Sequence, residues 1–174
     1  MPIPSLLPRE SSSSIANAHR LPTLVSDRSV EFTVYGLAQP KGSTKSFKHP
    51  ITGAVVTTHD NPKTRSWQGS VATAAADAAE QAGWTLVSDG AVSVSVVYVF
   101  LRPPSVRPRT RPFHTVKPDG DKLERGILDA LTGVLWRDDA QVVEWHGWKR
   151  YADAGESACA QVSVRLLREV PDGR

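Results

Sequence analysis

Cysteine is nearly absent from this chain: among 174 residues only Cys159 carries a thiol. One thiol excludes an intramolecular disulfide and a cysteine-based zinc site. It is compatible with a reducing compartment, and in the strand-like run Ser157–Val164 it reads as a small core residue. Long apolar runs are also lacking. None approaches the roughly 20 residues that a membrane helix needs, so no membrane partner is expected. Met1 to about Leu24 holds no apolar stretch of signal-peptide length; with Ser11 to Ser14 and several prolines it reads as a flexible tail. His49, His59 and His146 show no metal-ligand spacing. Excess charge is small, 21 Lys and Arg against 18 Asp and Glu, a net +3. The location of the charges therefore says more than their sum.

What is present suits one folded domain. A 40% hydrophobic content and five tryptophans supply a core at this length. We expect a tail over 1–28, a domain over 29–168 and a short C-terminal tail over 169–174. Val30–Tyr35 alternates as a strand does, and Gly53–Thr58 reads as a short second strand. From Arg65 to Ala82, with Thr64 as its cap, Trp67, Val71, Ala75, Ala78 and Ala82 recur at helical steps. Ala91–Leu101 is the strongest strand; it becomes continuously apolar, as a central strand does. A second helix is expected over Lys122–Leu131, with Leu123, Ile127, Leu128 and Leu131 buried and Asp121 and Glu124 as a capping box. A strand or hairpin through 134–136 and 141–148 and a last strand over 158–167 complete the order β-β-α-β-α-β-β. The fold class is α/β (α+β): a single domain with a mixed sheet packed by two main helices.

The chemistry concentrates around the second helix. Asp119 and Asp121 precede it, and a second acidic pair, Asp138 and Asp139, follows it beside a strand. Two carboxylates about 4 Å apart repel by roughly 4 kcal/mol at an effective dielectric near 20, unless a cation sits between them. Hard oxygen ligands of this kind suit Mg²⁺, which takes one or two carboxylates plus water and substrate phosphate. A plain alternative makes Asp121 a cap and Asp119 a turn residue. Arg125 is either the middle of a surface ion-pair ladder with Asp121 and Asp129 or a phosphate contact. Lys122 is a second cation at the helix start. Two loops, 41–48 and 102–117, hold eight cations and no acid. Their Lys41, Lys45, Lys48, Arg107, Arg109, Arg111 and Lys117, together with Lys122, are the expected DNA contacts. His114 is a lone loop histidine, either a base or phosphate ligand or neither. Trp145 and Trp148 are read as packing.

These motifs together, Asp119-x-Asp121, Arg125, Asp129-Ala-Leu-Thr-Gly and Asp138-Asp-Ala-Gln-Val, resemble the RusA family of Holliday junction resolvases of bacteria and their phages. Gln39-Pro40-Lys41-Gly42 is similar to the family's N-terminal motif. The resemblance covers about residues 30–167. It implies a RusA-like fold and a cytoplasmic homodimer that binds four-way or branched DNA and makes paired nicks in recombination and repair. It implies Mg²⁺, with Mn²⁺ able to substitute. Asp119, Asp121 and Asp139 match the family's catalytic aspartates, with Asp138 beside them as a further metal ligand. The chain departs from the pattern twice: Lys122 stands where Asn is frequent, and Arg125 stands at the functional lysine. Arg125 keeps the charge but cannot release a proton. Two other classes are a junction-binding protein without activity and a less selective branched-DNA nuclease.

Overall fold

Alternation in the first strand puts Val30, Phe32 and Val34 on one side and Glu31 and Thr33 on the other. That side is the one the helices cover. The computed structural model describes residues 24–41, 45–48, 50–58 and 62–169. The rest of the expected tails, with His49 and His59, lies outside them.

Strand β1 runs Leu24–Tyr35, earlier than the alternation alone indicated. Residues 24–28, expected in the tail, pair with the last strand: Leu24 is opposite Glu169 and Val25 opposite Arg168, with an irregularity before Arg28. A four-residue strand β2, Lys45–Lys48, pairs with β3, Val55–Thr58, as a separate antiparallel hairpin. Sequence reading expected only turns at β2, because a single phenylalanine among two lysines and a serine carries no usable alternation. Helix α1, Pro62–Gln81, starts three residues early. Pro62 suits a first helical position, where a missing N–H is no loss. Thr64 is therefore not a cap; it lies buried in the first turn and its hydroxyl donates to Pro40 O at 3.0 Å. Trp67, Val71, Ala75 and Ala79 form the buried stripe, while Ala82 is exposed.

Strand β4, Ala91–Phe100, helix α2, Gly120–Leu131, and strand β5, Val142–Tyr151, form one βαβ unit with β4 and β5 parallel. Strand β6, Cys159–Glu169, inserts between β1 and β4, antiparallel to both. The sheet order is β1-β6-β4-β5, so β4 is internal and β5 is an edge. Residues 134–136 form a turn with isolated bridges and not a strand. The mixed sheet and two helices match the expected class.

The core lies between one sheet face and the helices. Val92, Val94, Val96 and Tyr98 of β4 meet Trp67 and Val71 of α1 and Leu123, Ile127 and Leu131 of α2 in one buried cluster. The other face carries Glu31, Thr33, Ser95, Gln161 and Ser163, as a sheet covered on one side does. Segment 37–41 crosses α2 closely. Lys41 N donates to Lys122 O at 2.9 Å, and a Cβ on Gly126 would sit 3.3 Å from Gln39 O. A side chain at 126 would push this segment away. The Pro-Lys motif thus reaches the acidic helix.

Candidate active site

Helix α2 runs antiparallel to the neighbouring β5, and this decides where the four aspartates lie. Asp119 and Asp121 are at its start. That start is held to the far end of β5, where Lys149 Nζ donates to Val116 O at 3.1 Å and to Pro118 O at 2.8 Å. Asp138 and Asp139 follow the helix's other end and lead into β5. Twelve helical residues at 1.5 Å each separate the two pairs by about 18 Å. Among the described residues, no three acidic, histidine or cysteine groups converge on one metal position.

The first pair is open. Asp119 is the N-cap residue by position, yet its side chain makes no cap bond. This corrects the expected capping box, in which Asp121 was the cap; Asp121 is exposed in the first turn. The Asp119 carboxylate instead meets Lys122 Nζ at 3.1 Å. A groove lined by Lys117, Asp119 and Lys122 adjoins it on the side of segment 37–40. Glu124 stands one turn further along. Burial, and then the Asp121 charge, push its carboxyl above the usual carboxylate range. Free N–H groups and the positive helix end make this place attractive to anions and tolerant of paired carboxylates. Two hard oxygen donors with space for water and phosphate fit Mg²⁺.

The second pair is fixed by its own chain. Asp138 caps a short 3-10 turn, Asp139–Gln141, accepting from Ala140 N at 2.9 Å. Gln141 reciprocates: its Oε1 accepts from Asp138 N at 3.0 Å, and its Nε2 donates to Val87 O and Gly90 O, both at 3.2 Å. Asp139 Oδ1 accepts from the Thr132 hydroxyl and from Trp136 Nε1, the latter at 3.2 Å. Both bonds to Asp139 use Oδ1, and among the described residues its Oδ2 has no partner. Thr132 and Trp136 were not expected as supports. The Asp129-Ala-Leu-Thr-Gly motif contained Thr132 without indicating its partner.

The expected cations separate into two groups. Arg107, Arg109, Lys117 and Arg125 are exposed, and the described residues give Arg125 no ion pair. The ladder through Arg125 is therefore not formed; Asp129 pairs with Lys41 instead and accepts from Gln68 Nε2 at 3.4 Å. Arg111 is half-buried and donates to the Tyr151 hydroxyl at 3.5 Å. Arg102 lies 3.9 Å over the Tyr151 ring, a structural contact within the basic loop. The backbones of Lys45 and Lys48 belong to β2, but their side chains lie outside what is described.

Three further residues were missed or underweighted. His114 is buried, its ring stacked on Phe100 at 4.1 Å. Burial, then Lys149 and Arg111, hold its ring below the usual histidine range, which favours the neutral form. Tyr98 is buried beside Glu124, and burial followed by that charge pushes its hydroxyl upward. A tyrosine within a valine-rich strand was the available signal. Lys149 had none. These three line one cavity with Asp121 and Glu124. Trp145 packs against the core as expected, whereas Trp148 is 58% exposed, contrary to the packing reading. A partly exposed edge strand leaves its outward side chains without neighbours.

No helix among the described residues is long and apolar enough to cross a membrane. A family model described as Endodeoxyribonuclease RusA matches residues 38–164, well over half of the chain. No curated protein matches it.

Proposed function

The chain belongs to the RusA family of endodeoxyribonucleases, and from that premise we propose that it is a Mg²⁺-dependent Holliday junction resolvase acting as a homodimer. It nicks opposing strands of a four-way junction during recombination and repair, in the cytoplasm of a bacterial cell. The observation that carries this reading is the pair of open carboxylates, Asp119 and Asp121, at a helix start flanked by Lys117 and Lys122.

The separation of the two acidic pairs supports a site completed between subunits. Strand β5 is an open edge, and the pairs stand near its two ends. In a symmetric dimer one surface meets its own copy. A two-fold axis through the middle of β5 carries Asp138 and Asp139 of the partner subunit toward Asp119 and Asp121. Such pairing also covers a sheet edge that would otherwise invite other strands. Each of the two sites then draws on both chains, which suits paired cuts.

Asp119, Asp121 and Asp139, with Asp138 beside them, are the groups that hold Mg²⁺. The bound ion supplies Lewis-acid stabilisation and an activated water for phosphodiester hydrolysis. Arg125, one turn from Asp121, offers a guanidinium to the phosphate, the place of the family's lysine. Lys122 offers an amine beside it. Thr132 and Trp136 orient the Asp139 carboxylate, and Lys149 holds the segment before Asp119. Lys41, Lys45, Lys48, Arg107, Arg109, Arg111 and Lys117 supply phosphate contacts along the arms. Mn²⁺, also a hard cation, is expected to substitute.

Incubation with junction, fork and linear duplex, with and without Mg²⁺, tests the reading. Paired nicks in the junction alone support it. Cutting of all three substrates shows a general branched-DNA nuclease, and binding without product shows a non-catalytic protein.

A further inference from the structure

A cavity of about 480 Å³ adjoins the metal site and shares Asp121 with it as a wall. The volume falls within the roughly 300–1,000 Å³ range of small-ligand pockets. Its walls include His114, Trp145 and, at the rim, Phe113, which is 63% exposed. Tyr98 and His114 are 1% and 7% exposed, and both line it. The Tyr98 hydroxyl and His114 Nδ1 are buried and have no hydrogen-bond partner among the described residues. Buried polar groups in folded proteins are nearly always paired, and these two orphans sit on side chains that line one cavity, where a small side-chain shift would bring each to a ligand.

The lining chooses the ligand class. Two carboxylates, Asp121 and Glu124, outnumber the one ammonium on the wall, Lys149, whose Nζ is already engaged by Val116 O and Pro118 O, so the lining disfavours a phosphate. Flat aromatic walls favour a flat aromatic ligand. A hydroxyl, an imidazole nitrogen and a carboxyl suit the mixed donors and acceptors on the edge of a nucleobase, and Glu124 suits an exocyclic amino group. Nothing in the phosphate chemistry requires these groups. We propose that the cavity receives one unstacked nucleobase from the branch point, next to the phosphate that is cut. Phe113 covers its face, and Tyr98 and His114 bond its edge. Junction geometry makes such a base accessible, because a nucleotide at a branch has lost part of its stacking and is the least costly to extrude.

This inference rests on the branched-DNA reading above, and its test separates the two. Four-way junctions carry 2-aminopurine at each branch nucleotide in turn, without divalent metal so that nothing is cut. Wild-type binding is expected to change the fluorescence at one position. Phe113→Ala and Tyr98→Phe lose that change while still binding the junction, no more than about tenfold more weakly than the wild type. With Mg²⁺ they cut at least about fivefold more slowly, the scale of one lost base–aromatic contact. An abasic residue at the captured position removes the difference. Tyr98→Phe also reports folding: deleting an unpaired hydroxyl leaves thermal stability equal or higher.

If the wild type binds and cuts but no position responds, the base-capture proposal fails and the nuclease reading stands. If the abasic junction leaves the variants slow, their side chains act on the fold and the proposal fails. If the wild type neither binds nor cuts, the nuclease reading fails and the cavity assignment with it.

Discussion

The two ends of helix α2 carry the same residue type in opposite states. At its start, Asp119 makes no cap bond and Asp121 is exposed. Beyond its end, Asp138 and Asp139 are tied to Ala140, Thr132 and Trp136. Carboxylates left open at a positive helix end await a ligand; carboxylates locked in place are aimed. On the proposed reading, neither pair is a site alone. One offers exposed oxygens that only Lys122 engages, and the other offers rigid ones whose Oδ2 has no partner among the described residues.

Removing either half should abolish cleavage. Asp121→Asn and Asp139→Asn are each expected to slow junction cutting by at least about a hundredfold, the scale on which one electrostatic stabiliser is felt. Gel-shift binding should persist in both, and chelating the Mg²⁺ should copy their effect. Unequal losses would break the comparison, because they would give the chemistry to one end.

Loosening the locked end should cost less. Thr132→Val or Trp136→Phe removes a bond that orients Asp139, with an expected loss of about 10–100-fold in single-turnover rate. Added Mg²⁺ should recover part of it, since the carboxylate remains. Further out, Arg107→Ala with Arg109→Ala should weaken binding to every DNA tested. The slope of log affinity against log salt should fall by about two, and the cutting rate at saturation should hold.

The smallest effect concerns a locked carboxylate far from the chemistry. The Arg150 guanidinium, at 2.6 and 2.5 Å, holds the Glu156 carboxyl down at about 2 from an ordinary value of 4.5. A depressed folded-state value adds stability that is complete above 4.5 and is lost as pH falls toward 2. Denaturant unfolding should show this slope in the wild type, and Glu156→Gln should flatten it.

Much of this was legible in the sequence. Alternation located β1 and β4, and helical spacing located α1 and α2, because one face of each element is buried against a single core. Helix starts were misread by two or three residues: Pro62 and Gly120 precede the caps that Thr64 and Asp121 had suggested. Strand β2 escaped because four polar-rich residues carry no period. The acidic residues themselves were plain, but their separation was not. Sequence proximity of 119 and 139 suggested one cluster, whereas an intervening straight helix must hold its ends apart. The unpaired Tyr98 hydroxyl and His114 Nδ1 arise from tertiary packing, which no local pattern encodes.

Mixed dimers show whether each site is shared between two chains. Asp121→Asn and Asp139→Asn chains are co-expressed with different tags, and the hybrid is purified on both. If each site takes Asp121 from one chain and Asp139 from the other, the hybrid keeps one site whole and nicks the junction on one strand. Restored nicking of one strand is the expected result. A hybrid as inert as the two parent dimers would contradict it and return all the catalytic aspartates to a single chain.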